Sequence, residues 1–295
     1  MYTKKALEDL KPEKEFFVGI DSDGCAFPTM ELKHKECFIP NIVKYWHFQP
    51  ISKYAREAAE FVNLYSKWRG VNRFPALLKV FDLLKERPEV QRSIVNIPEA
   101  KPLRDWVARE TALGNPALKR EVEKTHNPVL TQALEWSEAV NATIADMVKG
   151  VPPFPGVKES LKKLNGSADV IVVSATPGEA LEREWKEHGI DLYVRIIAGQ
   201  EMGTKKEHLQ LAAHGKYPKD KILMVGDAPG DMKSAKAIDA LFFPINPGHE
   251  EESWDRFLNE GIDKFLNGEY AGSYERERIE DFEKLLPETP PWKRG

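Results

Sequence analysis

Short, uninterrupted apolar runs are the feature of this sequence that most limits its fold. One lies near the start of the chain, at residues 16–20, and the others follow its middle, at residues 169–174, 193–198, 221–226 and 240–245. Runs of this kind, bounded by Gly, Pro, Asp or Ser, are typical of strands buried on both faces of a parallel sheet. Helical patterns separate the later runs. We therefore predict an α/β fold, a Rossmann-like parallel sheet with helices on both faces.

The long stretch between the first two runs has a different pattern. Residues 29–150 lack strand-like runs, and their apolar residues recur at helical spacing, which predicts an all-helical cap domain. A stiff, Pro-rich hinge ends this stretch. We predict an α/β core of residues 1–28 and 151–248. We expect the extension at 249–295 to pack on the core or on a partner subunit, with a frayed end.

Acidic residues follow two of the predicted strands. Asp21 and Asp23 come directly after the first strand, with Gly24 permitting a sharp turn, and Asp227 and Asp231 follow the run at 221–226. An Asp after a strand is common in turns, but two such loops at one sheet edge bring four carboxylates together. Mutual repulsion then prevents full ionisation without a cation. Carboxylate oxygens favour Mg²⁺.

A basic pair begins one of the predicted helices. Thr204 and Glu207 have the spacing of a capping box, so the helix should start there, with Lys205 and Lys206 in its first turn. The helix dipole disfavours a cation at this end. A lysine here indicates a nearby negative charge, such as the aspartates or a bound phosphate, and we expect the other lysine to be solvated.

The run at 169–174 ends in a hydroxyl. The Ser174 hydroxyl and the following backbone N–H, that of Ala175, have the chemistry to hold a phosphoryl oxygen. Thr176 lies further into the turn before Pro177 and is the weaker candidate for this role.

Together these segments resemble the haloacid dehalogenase-like superfamily. The resemblance covers residues 1–28 and 151–248, and the helical insert is similar to the cap of that family in position and character only. The family pattern fits Lys205 better than Lys206. The matching motif residues are Asp21 and Asp23, then Ser174, then Lys205, then Asp227 with Asp231.

The resemblance implies a phosphatase that works in two steps. Asp21 would attack phosphorus and form an aspartyl-phosphate, and Asp23 would protonate the leaving oxygen and then deprotonate the attacking water. An Asp two residues after the nucleophile favours cleavage of C–O–P bonds. The substrate implied is a small phosphorylated metabolite.

The resemblance also implies the binding groups. Lys205 would offset the charge of the phosphoryl group, and Ser174, with Gly24 and Ala175 nearby, would position it. Mg²⁺ would be held by Asp21, the backbone carbonyl of Asp23 and Asp227, with Asp231 either as a further ligand or as a residue that orients the ligands.

Other functions fit parts of the pattern. A phosphomutase would use the same residues, and a regulatory protein would keep the metal site without turnover. A phospho-acceptor signalling domain also combines Asp, Ser or Thr and Lys around Mg²⁺, but the helical insert and Asp23 argue against it.

Within the cap, two arginines flank a turn. Arg69 and Arg73 in Trp68–Phe74 are candidates to bind an anionic group of the substrate. The alternative is that the aromatic residues form the core of the cap while the arginines are solvated. We expect His208 and His214 to lie on a helix surface.

Composition excludes several partners. The chain of 295 residues has 43 Lys and Arg against 47 Asp and Glu, a net charge of −4, which gives no basis for nucleic-acid binding. No apolar stretch is long enough to span a bilayer or to form a signal peptide, so we expect no membrane partner. With two cysteines, Cys25 and Cys37, a disulfide framework is not expected, and we predict a cytoplasmic location.

Overall fold

A computed structural model describes residues 2–293. Within these residues, five strands form one parallel sheet in the order β3-β2-β1-β4-β5. Every strand residue is buried, which explains the uninterrupted apolar runs and confirms the predicted fold class. The strands are β1 Phe16–Ile20, β2 Ala168–Val173, β3 Ile196–Ala198, β4 Ile222–Gly226 and β5 Leu241–Pro244. Strand β3 begins three residues later than predicted, and a 3₁₀ turn at Asp191–Tyr193 includes the first residue of the predicted run.

Helices make up most of the remaining chain. In chain order they are α1 Lys4–Glu8, α2 Thr29–Leu32, α3 Ile39–Tyr45, α4 Ser52–Leu64, α5 Arg73–Lys85, α6 Pro88–Gln91, α7 Lys101–Arg109, α8 Asn115–Thr125, α9 Pro128–Met147, α10 Val157–Leu164, α11 Gly178–Glu187, α12 Lys205–Ala212, α13 Pro229–Lys236, α14 Glu250–Arg256, α15 Ile262–Leu266 and α16 Ser273–Leu285. Among the described residues, no helix combines the length and apolar character that crossing a membrane requires.

The described chain divides into two compact units. The first, called the core unit here, runs to Met30 and resumes over Gly150–Leu286. The second, the helical unit, comprises Glu31–Lys149 and the described residues from Pro287 onward.

The core unit has apolar layers on both faces of its sheet. Alternate residues of a strand point to opposite faces, so Val18 packs with α10, α11 and the α14–α15 segment, whereas Phe17 packs with α1, α12, α13 and α16. The carboxyl ends of the parallel strands meet at one edge, where the loops that carry the acidic residues emerge.

The helical unit has an aromatic core. Trp46 packs edge-to-face on Phe81 and Trp136, with ring centroids 5.3 and 5.5 Å apart. Trp292, near the chain end, packs on Phe61 at 5.6 Å. Arg294 and Gly295, at the end of the chain that we expected to be frayed, lie outside the described residues.

Candidate active site

Three carboxylates converge at the carboxyl edge of the sheet. Asp21 follows β1, while Asp227 and Asp231 follow β4, the neighbouring strand in the sheet. Each of the three offers a carboxylate oxygen, and these oxygens lie within 4.8 Å of one another. All three residues are buried. Adjacent parallel strands thus bring together side chains that are about two hundred positions apart in sequence.

Asp231 is fixed by the start of α13. Its Oδ2 accepts the backbone N–H of Asp227 at 3.2 Å and of Ala228 at 3.1 Å, so it caps its own helix. Gly226 permits this arrangement, because a Cβ at that position would lie 2.5 Å from the Asp231 Cβ. A side chain there would force the Asp231 carboxylate out of the cluster.

Lys205 supplies the positive charge at the cluster. Its Nζ lies 2.8 Å from Asp21 Oδ2 and 2.5 Å from Asp231 Oδ1. The predicted capping box starts α12 at this residue, with Thr204 Oγ1 accepting the Glu207 N–H at 3.2 Å. Lys206 is exposed. Of the two candidate lysines, the fold therefore turns Lys205 toward the carboxylates.

Burial and the neighbouring charges shift the pKa values of both partners of this ion pair. Burial raises the pKa of Asp21 well above its ordinary value; Lys205 opposes the rise, and Asp231 and Asp227 add to it. For Lys205, burial alone would lower the pKa, but the negative charges of Asp21, Asp231 and Asp227 outweigh it and raise the pKa. The aspartates thus keep the lysine protonated.

The donor set fits a divalent cation. Three buried carboxylates and one ammonium group, when all are ionised, leave two negative charges in excess. A hard cation of charge two that prefers oxygen ligands, such as Mg²⁺, would neutralise this excess. Asp21, Asp227 and Asp231 are the residues that would hold it.

The loop after β1 is folded back on itself. The Asp21 Oδ1 accepts the Ser22 N–H at 2.8 Å, and Gly24, with a φ of 81°, donates its N–H to the Phe27 carbonyl at 2.8 Å. A positive φ of this size favours glycine. Gly24 therefore shapes the turn that separates Asp21 from the following helix.

The Asp23 carboxylate forms hydrogen bonds with hydroxyl groups and does not belong to the cluster of Asp21, Asp227 and Asp231. Its oxygens accept hydrogen bonds from the hydroxyls of Thr29 and Thr176. Asp23 is also less buried than Asp21. The expectation that four carboxylates meet was therefore too broad, since Asp21, Asp227 and Asp231 form the cluster and the Asp23 side chain has hydroxyl partners.

Ser174 ends β2 at the same edge of the sheet. Its backbone N–H donates to the Ala198 carbonyl at 3.0 Å, and its Oγ accepts the Thr176 N–H at 3.2 Å. A hydroxyl that accepts one hydrogen bond retains its own proton for donation. Ala175, the next residue, is exposed.

The two cap arginines have internal partners in the helical unit. Arg69 is 2% exposed and donates to the Leu64 carbonyl at 2.8 Å, so it is neither solvated nor on the surface. Arg73 donates to the Ser137 Oγ at 2.9 Å and the Asn141 Oδ1 at 2.7 Å, and burial lowers its pKa to about 10. Substrate binding by either arginine stays a prediction.

The sequence did not indicate roles for Ser22 and Thr29, and it gave a wrong prediction for the burial of His208. The Ser22 Oγ accepts the Trp185 indole N–H at 3.0 Å. The hydroxyl of Thr29 was also missed, because its contact depends on the fold of the loop and not on a motif. His208 was wrongly expected at a helix surface. It is fully buried, while His214 is exposed.

A family model for haloacid dehalogenase-like hydrolases matches residues 111–243. The match includes Ser174, Lys205, Asp227 and Asp231 and begins after Asp21 and Asp23. No curated protein sequence is significantly similar to the chain.

Solved structures with related architecture share little sequence with this chain. A candidate phosphoglycolate phosphatase from Lactobacillus delbrueckii is 14% identical, with 86% of this chain and 98% of that one covered and a TM-score of 0.48. A magnesium-bound candidate hydrolase of the family from Bacillus subtilis is 10% identical, with 84% and 100% covered and a TM-score of 0.46. A subfamily IA hydrolase from Geobacter sulfurreducens is 17% identical, with 80% and 89% covered and a TM-score of 0.40. These scores are too low to transfer a substrate or a metal.

Proposed function

We propose that the chain is a haloacid dehalogenase-like hydrolase, which the family match over residues 111–243 supports, and that it is a Mg²⁺-dependent phosphatase. Its substrate would be a phosphate monoester of a small metabolite, and we expect it to act in the cytoplasm. Asp21 would be the nucleophile, Asp23 the general acid and base, and Lys205 and Ser174 the groups that bind the phosphoryl oxygens.

One observation carries this proposal. The Asp21 carboxylate, at the end of a buried strand, has Lys205 Nζ at 2.8 Å and the oxygens of Asp227 and Asp231 within 4.8 Å. A nucleophilic carboxylate, a fixed ammonium group and further carboxylates to hold a cation are the groups that phosphoryl transfer to an aspartate requires. A structural ion pair alone would not need the two additional buried carboxylates.

In the first step an oxygen of Asp21 attacks phosphorus. The bond between phosphorus and the ester oxygen breaks, and the leaving oxygen takes a proton from Asp23. Lys205 offsets the negative charge on the phosphoryl oxygens, while the Ser174 hydroxyl and the Ala175 N–H donate to them.

In the second step a water molecule attacks the phosphorus of the aspartyl-phosphate. Asp23, now ionised, takes the proton from that water, and the bond between phosphorus and the Asp21 oxygen breaks. Phosphate is released, and Asp21 and Asp23 return to their starting states. A bound Mg²⁺ would neutralise charge at the carboxylates and the phosphoryl group.

Phosphate release from a panel of phosphorylated metabolites and an aryl phosphate, with and without Mg²⁺, tests this function. We expect turnover that requires Mg²⁺ and falls about a thousandfold or more in Asp21→Asn. Asp220→Asn is the matched control, since this aspartate is exposed and outside the cluster, and it should keep wild-type activity.

Two results would contradict the proposal. Metal binding without turnover on the whole panel would favour a regulatory protein instead. Turnover that persists in Asp21→Asn would remove the aspartyl-phosphate from the mechanism.

A further inference from the structure

Two hydroxyl groups hold the carboxylate of Asp23, one on each oxygen. The Thr29 Oγ1 donates to Asp23 Oδ1 at 2.5 Å, and the Thr176 Oγ1 donates to Asp23 Oδ2 at 2.6 Å. Thr29 is fully buried. A donor on each oxygen fixes the plane of a carboxylate as well as its position.

The backbone holds both threonines in place. On one side, the Ser22 carbonyl accepts the N–H groups of Ala26 and Phe27 at 2.9 and 3.0 Å, which folds the loop so that Thr29 returns toward Asp23. On the other side, the Thr176 N–H donates to Ser174 Oγ at 3.2 Å, and its carbonyl accepts the Gln200 N–H at 3.0 Å. Backbone hydrogen bonds therefore hold both segments that carry these hydroxyls.

Hydroxyl groups suit a residue that must both lose and regain a proton. A hydroxyl carries one hydrogen and two lone pairs, so it donates to an ionised carboxylate and, after rotation, accepts from the protonated acid. An ammonium or guanidinium partner has only donors and would favour the ionised form alone. Thr29 and Thr176 can therefore keep Asp23 hydrogen-bonded through both steps of a phosphatase cycle.

We propose that Thr29 and Thr176 are positioning residues that aim the Asp23 carboxylate at the leaving-group oxygen and at the attacking water. This inference rests on the proposed phosphatase function. It gives Thr176 a role other than binding the phosphoryl group, and it assigns a role to Thr29, which lies outside the motifs.

The way kcat/KM depends on the leaving group of the substrate distinguishes a role in positioning Asp23 from a purely structural role of the two threonines. An aryl phosphate with an acidic phenol as leaving group needs little help from a general acid, whereas a simple alkyl phosphate needs the proton from Asp23. In the Thr176→Val and Thr29→Val variants of this chain, we expect kcat/KM to fall at least about tenfold more for the alkyl than for the aryl ester. Thr176→Ser and Thr29→Ser retain a hydroxyl and should stay close to wild type.

Crystal structures of the wild type, Thr176→Ser and Thr176→Val give a second readout that does not depend on activity. We expect the Asp23 carboxylate to keep its position in the Ser variant and to rotate away in the Val variant. Ser234→Ala removes a hydroxyl that donates to Gly230 within α13, and it should change neither readout.

Equal losses on the two esters, or an unmoved Asp23 carboxylate in Thr176→Val, would overturn the positioning role. A wild type that releases no phosphate from either ester would instead overturn the phosphatase proposal. In that case the crystal structures would still decide whether the threonines hold Asp23.

Discussion

Lys205 keeps an ammonium group at the first position of a helix, where the helix dipole disfavours it. The carboxylates of Asp21 and Asp231 flank its Nζ and attract the ammonium group. This attraction offsets the unfavourable free energy of burying the charge at the helix N-terminus, so the lysine stays protonated. A buried cation beside a proposed nucleophile is positioned to stabilise a phosphoryl group.

Replacing this lysine should therefore damage catalysis selectively. We expect Lys205→Ala to lower kcat/KM for phosphate release by about 10²–10³-fold, the usual loss when one charge-stabilising group is removed. Lys206→Ala is the matched control, because its side chain is exposed on the same helical turn, and it should stay within about twofold of wild type. A damaging Lys206→Ala beside a silent Lys205→Ala would show that the assignment is wrong by one residue.

His208, three residues further along α12, should make stability depend on pH. Burial lowers its pKa to about 4, and Lys205 adds to the effect while Glu207 opposes it. In the unfolded chain an ordinary histidine titrates near 6.5. The stability that the neutral side chain contributes is therefore complete above pH 6.5 and is lost as pH falls toward 4.

Urea denaturation at several pH values tests this. Between pH 6.5 and 5 the wild type should lose about 2 kcal/mol more unfolding free energy than His208→Gln, which has no proton to bind. His214→Gln should follow the wild type, since His214 is exposed. Identical pH slopes for wild type and His208→Gln would show that His208 titrates normally in the folded protein.

At the scale of elements, α16 and the segment before it cover the open edge of the sheet. β5 lies at the end of the strand order, and its residue Phe242 has both backbone groups satisfied by side chains. Glu275 accepts the Phe242 N–H at 2.8 Å, and Tyr270 donates its hydroxyl to the Phe242 carbonyl at 2.8 Å. Pro244, the next residue but one, has no N–H to satisfy. An uncovered edge would be a template for pairing with another chain.

Removal of this cover should destabilise the core unit. Glu275→Ala leaves the buried Phe242 N–H without its acceptor, and we expect it to lower the free energy of unfolding by about 1–3 kcal/mol. Glu280→Ala, an exposed position on the same helix, should change it by less than about 0.5 kcal/mol. Chemical denaturation measures both, and equal effects of the two changes would contradict a specific role for Glu275.

Strands and helix starts were predicted well from the sequence where a single local pattern specifies them. The strands are buried on both faces and read as apolar runs, and the capping box at Thr204 marked the start of α12 to the residue. The packing of the last described residues could not be predicted, because the contact between Trp292 and Phe61 joins distant parts of the chain. Such contacts leave no local periodicity.

At the scale of the whole molecule, the sheet order determines which motif residues meet. Placing β1 between β2 and β4 puts Asp21 beside both the loop that carries Ser174 and the loop that carries Asp227. Sequence motifs indicated this edge because parallel strands share one carboxyl end. The partners of Asp23 could not be predicted, since they depend on how two loops fold back over that edge.

Direct detection of a phosphoryl group on Asp21 tests the central claim. The wild-type enzyme would be mixed with Mg²⁺ and a substrate found by phosphate release, quenched in acid, reduced with borohydride and analysed by peptide mass spectrometry. Borohydride converts an aspartyl-phosphate to homoserine, so we predict homoserine at position 21 that depends on both substrate and Mg²⁺. Unmodified Asp21 during active turnover, or homoserine at another aspartate, would contradict the account.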